Sequence, residues 1–294
     1  MKKDLTEKAL ARKIQAAEPG TVSVDVPSSR AIQLTRSVLY VLIGVVIGLV
    51  IWEICALVFN SKGSTLGFPD PITAFKRLGE YLFTGKTLYG HTVYEHVLAS
   101  MQRLLIAFGL AALVGITLGS IMGYFQRIYA IAIVPVSIYQ MIPGLAWLPV
   151  AILMFGLGDD AAIFIIFAVS SMVITIGVSG GIRMVPDVMV RAAKMSGASS
   201  FTVFIRVLIP QAAGSIVNAL RLGMSSAWRV LIAAEMIVGT GVGMGYSIQL
   251  TRDLLDYVGA FACITVICLF GLFLDRVLLA SIERWMNRRQ GTGE

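Results

Sequence analysis

Charge is what this sequence has least of. Asp, Glu, Lys and Arg together make up 14% of its 294 residues, whereas a soluble domain uses about 25% to dress its surface. The deficit excludes a soluble enzyme, because most of any globular surface faces water whatever the size of the core. Histidine is almost missing: His91 and His96 are the only two, so a histidine-rich metal centre is excluded. Cys55, Cys263 and Cys268 lie in apolar segments without Cys-x-x-Cys spacing and read as small buried hydrophobes. There is no GxxxxGK[ST], hence no loop to cradle ATP phosphates. No long stretch alternates with the period of a strand, which excludes a β-barrel. The first 36 residues are polar and the apolar run behind them is long enough to anchor, so no cleavable signal peptide is expected.

Long uncharged runs fill the space that charge leaves. Hydrophobic residues make up 57% of the chain, and several runs reach membrane-spanning length. The expected class is an all-α polytopic membrane protein with six transmembrane helices. A polar N-terminal segment, 1–36, carries a possible short amphipathic helix over 5–17. The first span covers 37–59, with Glu53 near its far end as an interfacial residue. An extracytoplasmic connection, 60–95, has turn signals at Lys62-Gly63 and Pro69-Asp70-Pro71; His91 and His96 at its end read as interfacial polar groups. The core, 96–283, holds five further spans, and a tail follows at 284–294.

Within the core, Gly115, Gly119 and Gly123 sit four apart on one helical face, suited to close packing of another helix. The next run, 128–158, has 31 uncharged residues, about 46 Å if wholly helical, with Pro135, Pro143 and Pro149 inside it. A broken helix is expected there. Unwound backbone at membrane depth is tolerated only against protein or a water-filled cavity. Met141, Pro143 and Trp147 are therefore pathway candidates, the alternative being a proline kink that only shapes packing.

Basic residues give the orientation. With the N-terminus inside, the cytoplasmic regions, with Arg276 at the end of the last span counted among them, hold 16 Lys/Arg and outside loops hold 5, which places both termini in the cytoplasm. The net charge of +7 sits mostly at segment ends, where lipid headgroups and topology account for it; nucleic acid is not an expected partner. The glycines at 239, 241, 243 and 245 lack a lysine and fall outside, so they read as a flexible loop.

The cytoplasmic stretch 186–210, PDVMVRAAKMSGASSFTVFIRVLIP, carries a pattern of its own. Pro186 suits a helix first turn. Val188, Ala192 and Met195 recur at four and three to give one apolar face, while Arg191 and Lys194 look elsewhere. Gly197 falls where a left-handed cap is needed, Ser199 or Ser200 can cap a second helix, and Pro210 restarts the chain for the fifth span.

This stretch resembles the EAA motif of membrane subunits of ABC importers, whose pattern is E-A-A, three residues, G, nine residues, I-x-L-P. Here it reads Arg191-Ala192-Ala193, Gly197, then Val207 to Pro210, with Arg191 in place of the glutamate. Residues 100–124, 142–158 and 233–237 resemble the branch serving nitrate, aliphatic sulfonates, taurine and bicarbonate. The resemblance implies a MetI-like permease homodimer in the cell membrane. Two cytoplasmic ATPase subunits would bind ATP and Mg, so this chain would carry no cofactor and no catalytic residue. An extracytoplasmic solute-binding protein would deliver the cargo. Pro186, Asp187, Val188, Arg191, Ala192, Ala193, Met195, Gly197 and Ala198 would belong to the coupling surface. If the fifth span lines the route, Arg221 and Arg229 would suit a small anion, with Glu235 beside them; otherwise either arginine pairs with Glu235 or reaches the headgroups. The competing classes are an ion-coupled secondary transporter and a membrane scaffold.

Overall fold

A computed structural model of the chain describes residues 30–61 and 67–274, with side chains from residue 39 onward. The expected amphipathic helix at 5–17, the Lys62-Gly63 turn and the tail lie outside these residues. The described chain is helical apart from one isolated bridge between Leu88 and His91. It divides into two compact units, 1–58 and 59–294. Helix α1, Arg30–Ser61, accounts for the described part of the first; its section Leu39–Ser61 has a mean hydropathy of 2.8, suited to a membrane.

In the second unit, the connection between the first two spans contains a helix, α2 (Pro71–Phe83). Asp70 caps it by accepting from the Thr73 amide at 3.1 Å, and Pro71 fills the first turn, where a missing N–H costs nothing. Ala74, Leu78 and Tyr81 form its buried face. Helix α3 (Val93–Tyr124) opens with a reciprocal cap: the Glu95 amide donates to Thr92 Oγ1, and the Thr92 amide donates to the Glu95 carboxylate.

The centre is α6 (Asp159–Arg183), packed on one side by α3 and on the other by α9 (Ile209–Val238). Glycine makes both contacts close. A Cβ on Gly119 would lie 2.7 Å from the Thr175 carbonyl oxygen and 2.8 Å from Val178 Cβ; one on Gly115 would lie 2.7 Å from Ile174 Cβ. The small-residue stripe is thus spent inside the chain, on α6. Gly109 faces nothing within 4 Å.

Between α3 and α6 the chain breaks. Helix α4 (Gln126–Met141) ends before Pro143, a 3-10 turn covers Gly144–Trp147, and α5 (Leu148–Phe155) leaves at 96° to α4. A proline cannot donate into the turn that would continue α4. Gly156 and Gly158, with φ of 78° and 123°, then turn the chain into α6, whose first turn holds Asp159 and Asp160, a favourable place for carboxylates.

After α7 (Asp187–Met195) the second short helix, α8 (Ser200–Val203), does not stop before Pro210. A single π turn, Phe204–Leu208, carries it straight into α9, giving 39 continuous helical residues from Ser200 to Val238. The Ile209 amide reaches back to the Phe204 carbonyl, and this widened turn accommodates a residue that has no N–H of its own. Pro210 is therefore inside the fifth helix, where a new start was expected. Helices α10 (Met244–Asp253) and α11 (Tyr257–Phe273) complete the described chain. Among the described residues, four helices are long and apolar enough to cross a membrane, five if the bent pair counts as one span, and α11 is apolar but only 17 residues long.

Candidate functional site

Three features of the second unit stand apart from ordinary packing. The first is the turn between α7 and α8. Gly197 adopts φ of +80°, ending α7 where the sequence called for a left-handed residue, and the Ala198 amide returns to the Ala193 carbonyl at 3.1 Å. Ser199 supplies the next cap, accepting from the Thr202 amide. Val190 turns inward onto the core. Val188 and Met195 remain 70% and 84% exposed, so the apolar face read from the spacing is uncovered. Ala192 is exposed with them. Arg191 lies 3.7 Å from Asp187 across one turn, both largely in solvent, a pair worth little. A polar cleft of about 580 Å³, lined by Arg183, Asp187 and Lys194 among others, opens between this helix and the bundle.

The second feature is the broken span. Its kink lies against α9: a Cβ on Gly144 would come within 3.0 Å of Val230. Trp147 stacks on Tyr139 across the break, with ring centroids 4.4 Å apart, and packs in one cluster with Val230. Met141 is 80% exposed, and Pro143 is exposed beside it. On α9, Arg229 is exposed and contacts Ser225 and Ser226 at 3.4 Å each, whereas Arg221 is half-buried and engaged with its neighbours.

The third feature was not foreseen. Arg103 on α3 donates through Nη1 to Glu235 at 2.6 Å. Its Nε and Nη2 both lie 2.9 Å from Asp159. Ser100 donates to the same Glu235 carboxylate, and the Gly245 amide donates to its other side at 2.9 Å. The Met244 amide donates to Ser100 Oγ, and the Gly243 amide to His96 Nδ1. Because Nδ1 accepts, the ring proton sits on Nε2, which donates to the Leu88 carbonyl at 3.1 Å. Two expectations change. His96 is fully buried, not interfacial. The glycine run is no flexible loop where it enters α10: Gly243, Met244 and Gly245 are buried and tied to two helices. Glu235 does not pair with Arg221 or Arg229 in this arrangement. Its partner, Arg103, is 132 residues away, and the only sequence signal was a cation just inside an otherwise uncharged run.

Among the described residues, no cluster of three or more His, Cys, Asp or Glu could hold a metal ion. The described features are those of a membrane conduit. The family model for the binding-protein-dependent transport system inner membrane component matches residues 115–288. The chain belongs to that family. It is an ABC-importer permease subunit and a multi-pass membrane protein. A putative ABC transporter permease of Methanocaldococcus jannaschii is 33% identical to this permease over 79% of its chain and 85% of the relative. The taurine transport system permease of Escherichia coli is 30% identical, covering 90% and 94%. The bicarbonate transport system permease of Synechococcus elongatus is 29% identical, covering 87% and 92%. Among solved structures, the inward-facing MetNI methionine ABC transporter shares the fold, with a TM-score of 0.58 over 66% of this permease and 95% of that chain, at 17% identity.

Proposed function

We propose that two copies of this permease form the route for a small anion, of the class of nitrate, an alkanesulfonate, taurine or bicarbonate, across the cell membrane. On this proposal the chain spans the membrane six times with both termini in the cytoplasm. Two separate ATPase subunits hydrolyse ATP, and an extracytoplasmic binding protein supplies the solute. The observation that carries it is the uncovered apolar face of α7, Val188 and Met195, held rigidly between Pro186 and Gly197. A monomer that leaves two large apolar side chains in water at a capped, ordered turn has a surface fitted to a partner. The relatives named for taurine and bicarbonate transport support a cargo that carries an oxyanion group, and Arg221 and Arg229 supply cationic side chains on the helix that would line the route. Met141, Pro143 and Trp147 would contribute the broken segment of the wall. Glu235, sealed against Arg103, would hold that wall together from behind. Movement of the ATPases would be transmitted through residues 187–199, and ATP favours one transport state only through contacts that differ between states.

The experiment is uptake into proteoliposomes holding the permease with the ATPase and binding protein encoded beside it, using labelled taurine, bicarbonate and nitrate. Accumulation of one of these that needs internal-face ATP and the binding protein is expected. Accumulation driven by an ion gradient with the permease alone would overturn the proposal in favour of a secondary transporter.

A further inference from the structure

We infer that Ser225, Ser226 and Arg229 on α9, beside the break between α4 and α5, form a coordination station for an oxyanion. The inference rests on α9 lining the route, and it names what the cargo meets there. Arg229 lies nine residues from the end of α9 at Val238, roughly 14 Å along a helix, within a helix long and apolar enough to cross a membrane. A charge there faces an aqueous cavity or another protein surface and needs a partner. This fold does provide partners for a cation that it buries: Arg103 has two carboxylates. Arg229 has none within ion-pair reach among the described residues; its contacts are the two serine hydroxyls at 3.4 Å. Glu235, the acid on the same helix, is fully occupied by Arg103, Ser100 and Gly245.

The donor count decides the ligand. A serine oxygen that accepts from a guanidinium keeps its own proton to donate. Ser225, Ser226 and Arg229 therefore offer hydrogens and no free anionic acceptor. Arg229 shares the exposed face of α9 with Asn218, Leu222 and Ile237, and the half-buried Ser225 and Ser226 lie one turn before it. A neighbourhood rich in donors and poor in acceptors suits an anion, and the planar guanidinium fork suits one with two adjacent oxygens, as in nitrate, bicarbonate or a sulfonate. Chloride, which cannot span the fork, should bind less well.

The test uses the assembled permease–ATPase complex with Cys55, Cys263 and Cys268 replaced by alanine and Ser226→Cys introduced, leaving Arg229 in place. Modification by a negatively charged and a positively charged water-soluble thiosulfonate is timed, each normalised to a free thiol. The anionic reagent should be favoured by on the order of tenfold, as in a positively focused cleft. Arg229→Gln should abolish that preference and Arg229→Lys should keep most of it. Nitrate or ethanesulfonate should slow the reaction at concentrations where chloride does not. If Ser226→Cys disturbs assembly, Ser225→Cys serves in its place. A thiol that stays unreactive with and without ATP, or a preference unaffected by Arg229→Gln, overturns the station. Neither outcome touches the uptake experiment, so ATP-driven anion uptake with an unreactive thiol would leave the importer proposal standing and remove only this site.

Discussion

Arg103 and Glu235 approach to 2.6 Å where their side chains are 6% and 0% exposed. Asp159, the other acid on Arg103, has a side chain that is 57% exposed. One guanidinium thereby joins α3, the start of α6 and the end of α9. The ordered entry to α10 hangs on the same carboxylate through the Gly245 amide. Burying such a pair is expensive, and its net worth over an apolar substitute is small. Breaking one side is what costs, because the remaining charge is left unpaired.

Arg103→Gln or Glu235→Gln alone should therefore lower stability by about 3–5 kcal/mol, read as a loss of thermal midpoint in detergent. Asp159→Asn should cost much less, since solvent already screens that carboxylate. A double variant, Arg103→Met with Glu235→Gln, should recover a large part of the loss. If the double variant is as unstable as the two singles added together, the pair is not acting as a unit.

The glycine stripe gives a contrast within one helix. Gly119→Val should prevent α3 from seating on α6, because even a Cβ would lie 2.7 Å from the Thr175 carbonyl oxygen, a backbone atom that cannot swing away. Gly109→Ala meets open space and should be neutral or stabilising by up to about 1 kcal/mol. Expression and gel-filtration profiles of the two variants in detergent check this.

For α7, replacing Val188 and Met195 with aspartate should abolish co-purification of the ATPase while changing the thermal midpoint of the permease by less than about 0.5 kcal/mol equivalent, since both side chains are already in solvent. Arg191→Ala should leave co-purification nearly intact, its pairing with Asp187 being loose and exposed.

Asp70 supplies a pH-dependent cap. Its hydrogen bonds from the Thr73 hydroxyl and the Thr73 amide hold the carboxyl below its ordinary value of 3.8. A carboxyl lowered in this way contributes stability that is present above the unfolded value and is lost as the pH falls through the folded one. Asp70→Ala should cost about 1 kcal/mol at neutral pH, and the difference from wild type should shrink as the pH falls below 3.8 and on through the lowered folded value. Thermal midpoints of both proteins across that range would show it.

Much of α7 was legible because its determinants are local. Capping by Ser199, the left-handed Gly197 and the three-and-four spacing of Val188, Ala192 and Met195 all act within a turn or two of helix, and each was found where the pattern put it. The break at Pro143 was legible for the same reason. Pro210 misled because a proline is compatible either with a helix start or with a π turn. Choosing between them depends on whether the preceding residues are already anchored, and Val203 and Leu208 are buried in the bundle.

By itself, then, the sequence determined the membrane class, the apolar runs, the kink and the helix–glycine–helix turn at α7, all consequences of composition and short-range stereochemistry. Only the tertiary structure decided where the glycines of α3 are used, that His96 is buried, and that Glu235 belongs to Arg103. An ion pair between residues 132 positions apart leaves no periodic trace. Both charges simply look out of place in apolar runs until packing brings them together, and low polarity then holds them to each other.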